Sequence, residues 1–193
     1  MFEREENRLC YQYDSEQLWI EAWGKSAFRV RATKNAQMPQ ENWALQIPVD
    51  ADAGTEIRID DKMAFIKNGK ISASISKFGK ITVYNQSGNK MMEEYSRNRK
   101  DVCDRKCSAI EVEAREFKPN IGGDYHLTMR FESLDKNEKI YGMGQYQQAY
   151  LDLKGLDLEL AHRNSQASVP FAVSSLGYGF LWNNPGVGRA VLG

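Results

Sequence analysis

The dipeptide Asn68-Gly69 stands between two runs in which apolar and polar residues alternate. Met63–Lys67 precedes it. In Ile71–Ser76, which follows, Ile71, Ala73 and Ile75 fall on one side and Ser72, Ser74 and Ser76 on the other. A period of two sends successive side chains to opposite faces of a strand. Asn-Gly tolerates the positive φ that a tight hairpin turn demands. The pattern continues outward on both sides. Glu56–Ile59 lies before it; Phe78-Gly79-Lys80 turns into Ile81–Tyr84, and Gln86–Asn89 turns again. Residues 56–92 therefore read as an antiparallel meander of ordinary strand length.

The same alternation recurs at Leu9–Tyr13, Gln17–Ala22 and Ala27–Ala32, with Trp23–Ser26 as a turn, and at Ile110–Phe117 and Tyr125–Phe131. From Ile140 to the end, short apolar runs alternate with Gly, Asn, Asp and Pro; Leu176-Gly177 reads as a two-residue hairpin connection. Asn35 to Asp52, with Pro39 and Pro48, reads as a long irregular connection between sheets. Glu93 to Cys107 is charge-dense, the one candidate helix or disordered loop, and carries no assigned function. Successive antiparallel strands with little helix predict an all-β chain, an antiparallel β-sandwich forming a single domain over residues 1–193.

Charge narrows the function classes. The 26 basic residues balance 26 acidic ones, which gives no electrostatic case for nucleic acid or an anionic membrane. No apolar run is long enough to span a bilayer. The charged N-terminus, Met1 to Arg8, lacks the apolar core of a secretion signal, and the cytoplasm is the expected location. Three cysteines, Cys10, Cys103 and Cys107, do not form a dense disulfide framework. Neither His126 nor His162 stands at a zinc-finger spacing from Cys103 and Cys107, so no metal site is expected.

Specific motifs crowd the last part of the chain. They run Glu138-Lys139-Ile140-Tyr141-Gly142-Met143-Gly144-Gln145, Leu151-Asp152-Leu153-Lys154-Gly155, Asn164, Pro170-Phe171, Ser174-Ser175, Gly177-Tyr178-Gly179 and Trp182-Asn183-Asn184-Pro185. In that order they resemble the N-terminal domain of family 31 glycoside hydrolases, retaining α-glucosidases and α-xylosidases, and among them the bacterial members. The resemblance is weaker over Phe65 to Met92 and reduces to compatible patterning before residue 55. It implies a supersandwich similar to the galactose mutarotase fold. In the family that domain precedes a (β/α)8 barrel carrying both catalytic carboxylates, with the nucleophile in a Trp-x-Asp-Met-Asn-Glu-like motif. No such motif occurs here, so the chain is expected to be an N-terminal domain that is inactive alone, with the barrel of the same polypeptide as its partner. A surface made for that barrel would leave an apolar patch near Tyr178–Pro185 or the loop His162–Ser168. Many α-glucosidases of the family have Glu where Gln145 stands, a departure that leans toward the α-xylosidases.

The resemblance also implies a site. The polar loop His162–Ser168 would reach over the barrel mouth, and His162, Arg163, Asn164 and Gln166 would offer donors and acceptors to sugar hydroxyls. Without the resemblance, the same loop reads as a sandwich edge bonding its own backbone. No catalytic residue and no cofactor is expected in this chain. Asp152, Asp157 and Glu159 are its candidate carboxylates, and Asp157 and Glu159 would share a strand face. Retaining hydrolysis needs two carboxyls about 5–5.5 Å apart, but such neighbours are common on a wet sheet face. Tyr178, Phe180 and Trp182 share a strand face, so Tyr178 and Trp182 read as core and interface residues rather than as sugar platforms; glycines 142, 144, 177 and 179 read as turns, bulges or close packing. Two rival functions stay open: a stand-alone carbohydrate-binding module, and a mutarotase-like epimerase using His126 and His162. Assembly into a homo-oligomer also stays open.

Overall fold

Because the alternation persists through nearly all of the chain, strand pairing accounts for almost all of its regular structure. A computed structural model describes residues 1–42, 44–46, 54–102 and 104–192. Sixteen strands, all paired antiparallel, and no helix are found among them. The chain divides into two compact units, Met1–Leu134 and Asp135–Gly193. Cys103, Trp43 and the stretch from Ile47 to Asp52, with Pro48, lie outside the described residues.

In the first unit, β1 (Phe2–Glu5), β2 (Arg8–Tyr13), β3 (Glu16–Ala22) and β4 (Phe28–Thr33) form one sheet in sequential order. A second sequential sheet holds β5 (Glu56–Ile59), β6 (Met63–Asn68), β7 (Ile71–Ser76), β8 (Ile81–Tyr84) and β9 (Lys90–Glu93). Register explains why they stack. Leu9 faces Ile20 and Tyr11 faces Leu18 in the first sheet; Ala64 faces Ile75 and Ile66 faces Ala73 in the second. These residues, with Ile81, form one buried cluster between the sheets. Each fully buried Leu or Ile contributes roughly 1.5–3 kcal/mol. A hairpin, β10 (Arg115–Pro119) with β11 (Tyr125–Met129), completes the unit. Its first strand begins later than Ile110, and β1, hidden in a charged tetrapeptide, was not signalled by alternation.

The Asn68-Gly69 hairpin forms, with a correction. Asn68 is the last residue of β6, paired with Ile71, so Gly69-Lys70 make the two-residue turn. The Asn68 side chain is buried and donates to the carbonyls of Gly24 and Ala27, both at 2.9 Å. It ties the turn of one sheet to that of the other. Gly69 sits so close to Lys25 that a Cβ would lie 2.0 Å from the Lys25 carbonyl oxygen. No other residue fits there.

Polar groups are also buried in the first unit. Arg115 is fully enclosed; its guanidinium donates to both carboxylate oxygens of Glu94, to Glu16 and, at 2.7 Å, to the Gly79 carbonyl. The Glu94 carboxylate also accepts from the Ile81 amide at 2.8 Å. The charge-dense segment is neither helix nor featureless. Its described residues make turns and the isolated bridges Glu94 with Phe131 and Arg97 with Val112. Its charges are partners: Lys80 holds Glu93 at 3.2 Å and also Asp104, while Glu132 meets Arg97 at 2.6 Å and Lys106 at 3.0 Å.

In the second unit, β12 (Ile140–Gln145), β14 (Ala167–Ser174) and β15 (Tyr178–Leu181) form one sheet, and β13 (Asp157–Leu160) pairs with β16 (Gly188–Val191). Met143, Leu153 and Leu158 form its small buried core. The Gly142-Met143-Gly144 run is a bulge: all three residues have positive φ, and a Cβ on Gly142 or Gly144 would strike the Phe171 or Ala167 carbonyl oxygen. Ser174 pairs with Tyr178, so the connection has three residues, Ser175 to Gly177, rather than two.

Two outcomes follow for the first unit. Asn68→Ala leaves the Gly24 and Ala27 carbonyls without their side-chain donor and should cost about 1–3 kcal/mol in urea unfolding. The second concerns acid. Burial pushes the carboxyls of Glu93, Asp104 and Glu132 up, but hydrogen bonds and charges from Lys80, Lys90, Lys106 and Arg97 outweigh it and hold all three below their ordinary values. Carboxyls lowered by folding add stability that is present above the ordinary carboxylate range and lost as pH falls through the folded values. The urea midpoint should drop between about pH 5 and pH 3, and Asp104→Asn should flatten that drop.

Candidate functional site

Leaving β13 at Leu160, the chain must reverse to enter β14 at Ala167. It does so in a tight turn. Arg163 and Gln166 form an isolated bridge, with the Gln166 amide donating to the Arg163 carbonyl at 3.1 Å. Asn164 and Ser165 make the tip, and Ser165 takes a left-handed φ of 64°. The His162 Nδ1 accepts from the Ser168 amide at 3.4 Å. Below the turn, the Tyr146 hydroxyl donates to the Glu159 carbonyl at 2.8 Å and stands 2.9 Å from Ser168 Oγ.

Arg163 folds back onto Glu159, four residues earlier, with bonds of 2.8 and 2.6 Å between exposed groups. That hydrogen bond, with the Arg163 charge, holds the Glu159 carboxyl below its ordinary range. Asp157 is likewise paired with Arg189. Each carboxylate of the β13 pair thus has its own guanidinium, and Glu159 stays ionised rather than holding a proton to give to a leaving group. Asp152 lies outside any strand and accepts from the Ile140 and Lys154 amides, both at 3.1 Å. Lys154 reaches Glu138 at 3.6 Å.

Beside the turn is an open hollow of about 410 Å³, within the size range of small-ligand sites. His162 and Arg163 border it on one side; Pro170, Trp182, Asn184 and Pro185 border it on another. Two of the four expected residues are therefore brought to the hollow, while Asn164 sits exposed at the tip and Gln166 lies outside the lining. Trp182, which the sequence reads as a core and interface residue rather than a sugar platform, also borders the hollow. Its amide donates to the Pro170 carbonyl at 2.8 Å, and its ring stacks on Phe180 with centroids 6.5 Å apart. The pairing of Pro170 with Trp182 continues the β14–β15 register, and that register, read from the hairpin, was the available signal. Tyr178 faces inward: it donates to Glu138 at 2.7 Å, as does Ser174 at 2.5 Å. Burial and the nearby Glu138 carboxylate push the Tyr178 hydroxyl well above its ordinary range.

His126 lies exposed on β11 opposite Lys118. Burial pushes the Cys10 thiol up to about 11, and Cys107 is exposed. Among the described residues no cluster of His, Cys, Asp and Glu is able to hold a metal, and no helix is long and apolar enough to cross a membrane.

Residues 17–188 match the family model described as the glycosyl hydrolase 31 N-terminal galactose mutarotase-like domain. The chain belongs to this family. A family 31 glucosidase, ORF2, of Pseudescherichia vulneris, itself uncharacterized, is 47% identical over 192 residues, covering 95% of this chain and 36% of the relative. A GH31 α-xylosidase from a soil metagenome, solved with xylose, superimposes with a TM-score of 0.93 at 43% identity, covering 100% of this chain and 29% of the other. An α-xylosidase of Saccharolobus solfataricus is 41% identical over 77 residues, 35% of this chain and 10% of the relative. The family 31 domain described here thus spans about a third of the length of the first of these relatives.

The turn itself can be tested. Ser165→Val places a β-branched residue at a left-handed φ and should destabilise by about 1–2 kcal/mol, whereas Ser165→Gly should not. Urea unfolding of the two variants distinguishes them.

Proposed function

We propose that these residues are the N-terminal part of a retaining α-glycosidase that releases terminal α-linked xylose. The observation that carries the reading is the match, along the whole chain, to the soil-metagenome α-xylosidase complexed with xylose. Retaining hydrolysis needs a nucleophile and an acid/base carboxyl about 5–5.5 Å apart. Glu159, kept ionised beside Arg163, holds no proton for a leaving group, and in this reading both catalytic groups come from the remainder of the polypeptide. This domain adds one wall of the substrate pocket. His162 and Arg163 present polar edges to sugar hydroxyls and Trp182 and Pro170 present apolar surface to the sugar ring, while Asn164, exposed at the tip of the turn outside the hollow, offers its amide to the same sugar. The turn's internal bonds hold these groups in place before substrate arrives, which lowers the ordering cost of binding.

A second reading, release of α-glucose, is favoured by the P. vulneris relative, described as a family 31 glucosidase. The thiols of Cys10 and Cys107 suit a reducing compartment, the cytoplasm.

The 193-residue chain alone should not turn over nitrophenyl α-xyloside or α-glucoside. The polypeptide from the full reading frame should turn over the xyloside with the higher kcat/KM; a higher value for the glucoside decides for the second reading. In that polypeptide, Asn164→Ala should lower kcat/KM about threefold to tenfold, the loss of one hydrogen bond, with an unchanged melting temperature. A lowered melting temperature with normal kinetics would assign the turn to folding alone.

A further inference from the structure

The two outer faces of the second unit differ in kind. On β13 and β16 the outward positions include Asp157, Glu159 and Arg189, exposed and paired with opposite charges. Charges dominate that face, although Val191, opposite Asp157, is also exposed there at 71%. On β14 and β15 the outward positions are Val169, Phe171, Val173 and Leu181, exposed at 52%, 43%, 42% and 38%. Burial alternates strictly along β14, and register places Phe171 opposite Leu181 and Val173 opposite Gly179, so the four share one face. No ionisable side chain interrupts them on these strands.

Phe171 lies across Gly179, where a Cβ would fall 2.8 Å from the ring's Cζ. Gly179 lets the ring lie down on the sheet instead of standing into solvent. A contiguous exposed apolar face of this kind marks a packing surface. Among its described residues the unit that carries it has three buried apolar side chains, with six partly buried ones packed against them, a small core for 59 residues.

We infer that the β14–β15 face, centred on Phe171, Val173 and Leu181, is the surface against which the remainder of the full-length polypeptide packs. This inference rests on the reading of the chain as one part of a longer family 31 enzyme. The relatives are much longer than this chain: 64% of the P. vulneris relative and 71% of the soil-metagenome chain lie outside the matched part, from 100 less 36 and 100 less 29. A partner present in the same polypeptide at fixed stoichiometry is the one that would permit a permanently apolar face.

Hydroxyl-radical footprinting reads the face directly. Oxidation of Phe171 and Leu181 should be several-fold slower in the polypeptide from the full reading frame than in the 193-residue chain, at every protein concentration. The double variant Phe171→Lys, Val173→Lys should lower the melting temperature of the longer polypeptide and leave that of the short chain unchanged. Equal oxidation in the two would overturn the proposal. So would protection that grows with concentration, because a second copy would then be the cover. Turnover of nitrophenyl α-xyloside by the same longer polypeptide separates the two ideas. Protection without turnover keeps the docking face and removes the activity, and turnover without protection does the reverse.

Discussion

Antiparallel register is the constraint on which the rest of this structure depends. With no helix among the described residues, nearly every regular backbone hydrogen bond joins two different strands, and a slip of one residue exchanges the two faces of a strand. In the first unit that exchange would send Leu9, Leu18, Ile20, Ile66 and Ile75 into water. In the second it would replace the sequence Ser168, Pro170, Ala172 on the inner face of β14 with Val169, Phe171, Val173. One geometric rule therefore sets both what is buried and what the hollow is lined with. The bulge at Gly142–Gly144 is the one place in β12 where the rule is interrupted, and it is there that Met143 is turned into the core.

Charge is used differently in the two units. In the first, Arg115 takes carboxylates and a carbonyl from three separated segments, Glu16, Gly79 and Glu94, into the interior. Removing one partner from such a nest leaves an uncompensated charge, which costs far more than a surface pair. In the second unit the pairs are exposed and local. Glu159 with Arg163 orients a turn and neutralises a carboxylate, and its worth lies in geometry rather than stability.

The sheet architecture was readable because alternation is a local signal and buried faces must obey it. Met63–Lys67 and Ile71–Ser76 needed no tertiary information. β1 was missed because Phe-Glu-Arg-Glu offers only one apolar residue and owes its place to pairing with β2. The segment from Glu93 onward misled for the opposite reason: its charges look solvated until Lys80 and Glu132, distant in sequence, are seen to meet them. Of the candidate site, His162 and Arg163 were legible as polar loop residues flanking a strand. The part played by Trp182 was not, because a half-buried aromatic serves core and hollow at once, and only the extension of the β14–β15 register past Leu181 reveals the second role.

The Asn68 tie has a kinetic meaning. Its two bonds join residues 44 and 41 positions apart and need the Gly24–Ala27 turn and the β6–β7 hairpin to be complete first. Each hairpin closes through neighbours in sequence, so the tie forms only when the two sheets dock. Interactions made after the rate-limiting step act on the rate of leaving the native state, not on the rate of reaching it. If docking follows that step, the amide of Asn68 governs how long the first unit stays folded while leaving the speed of its folding to the hairpins themselves.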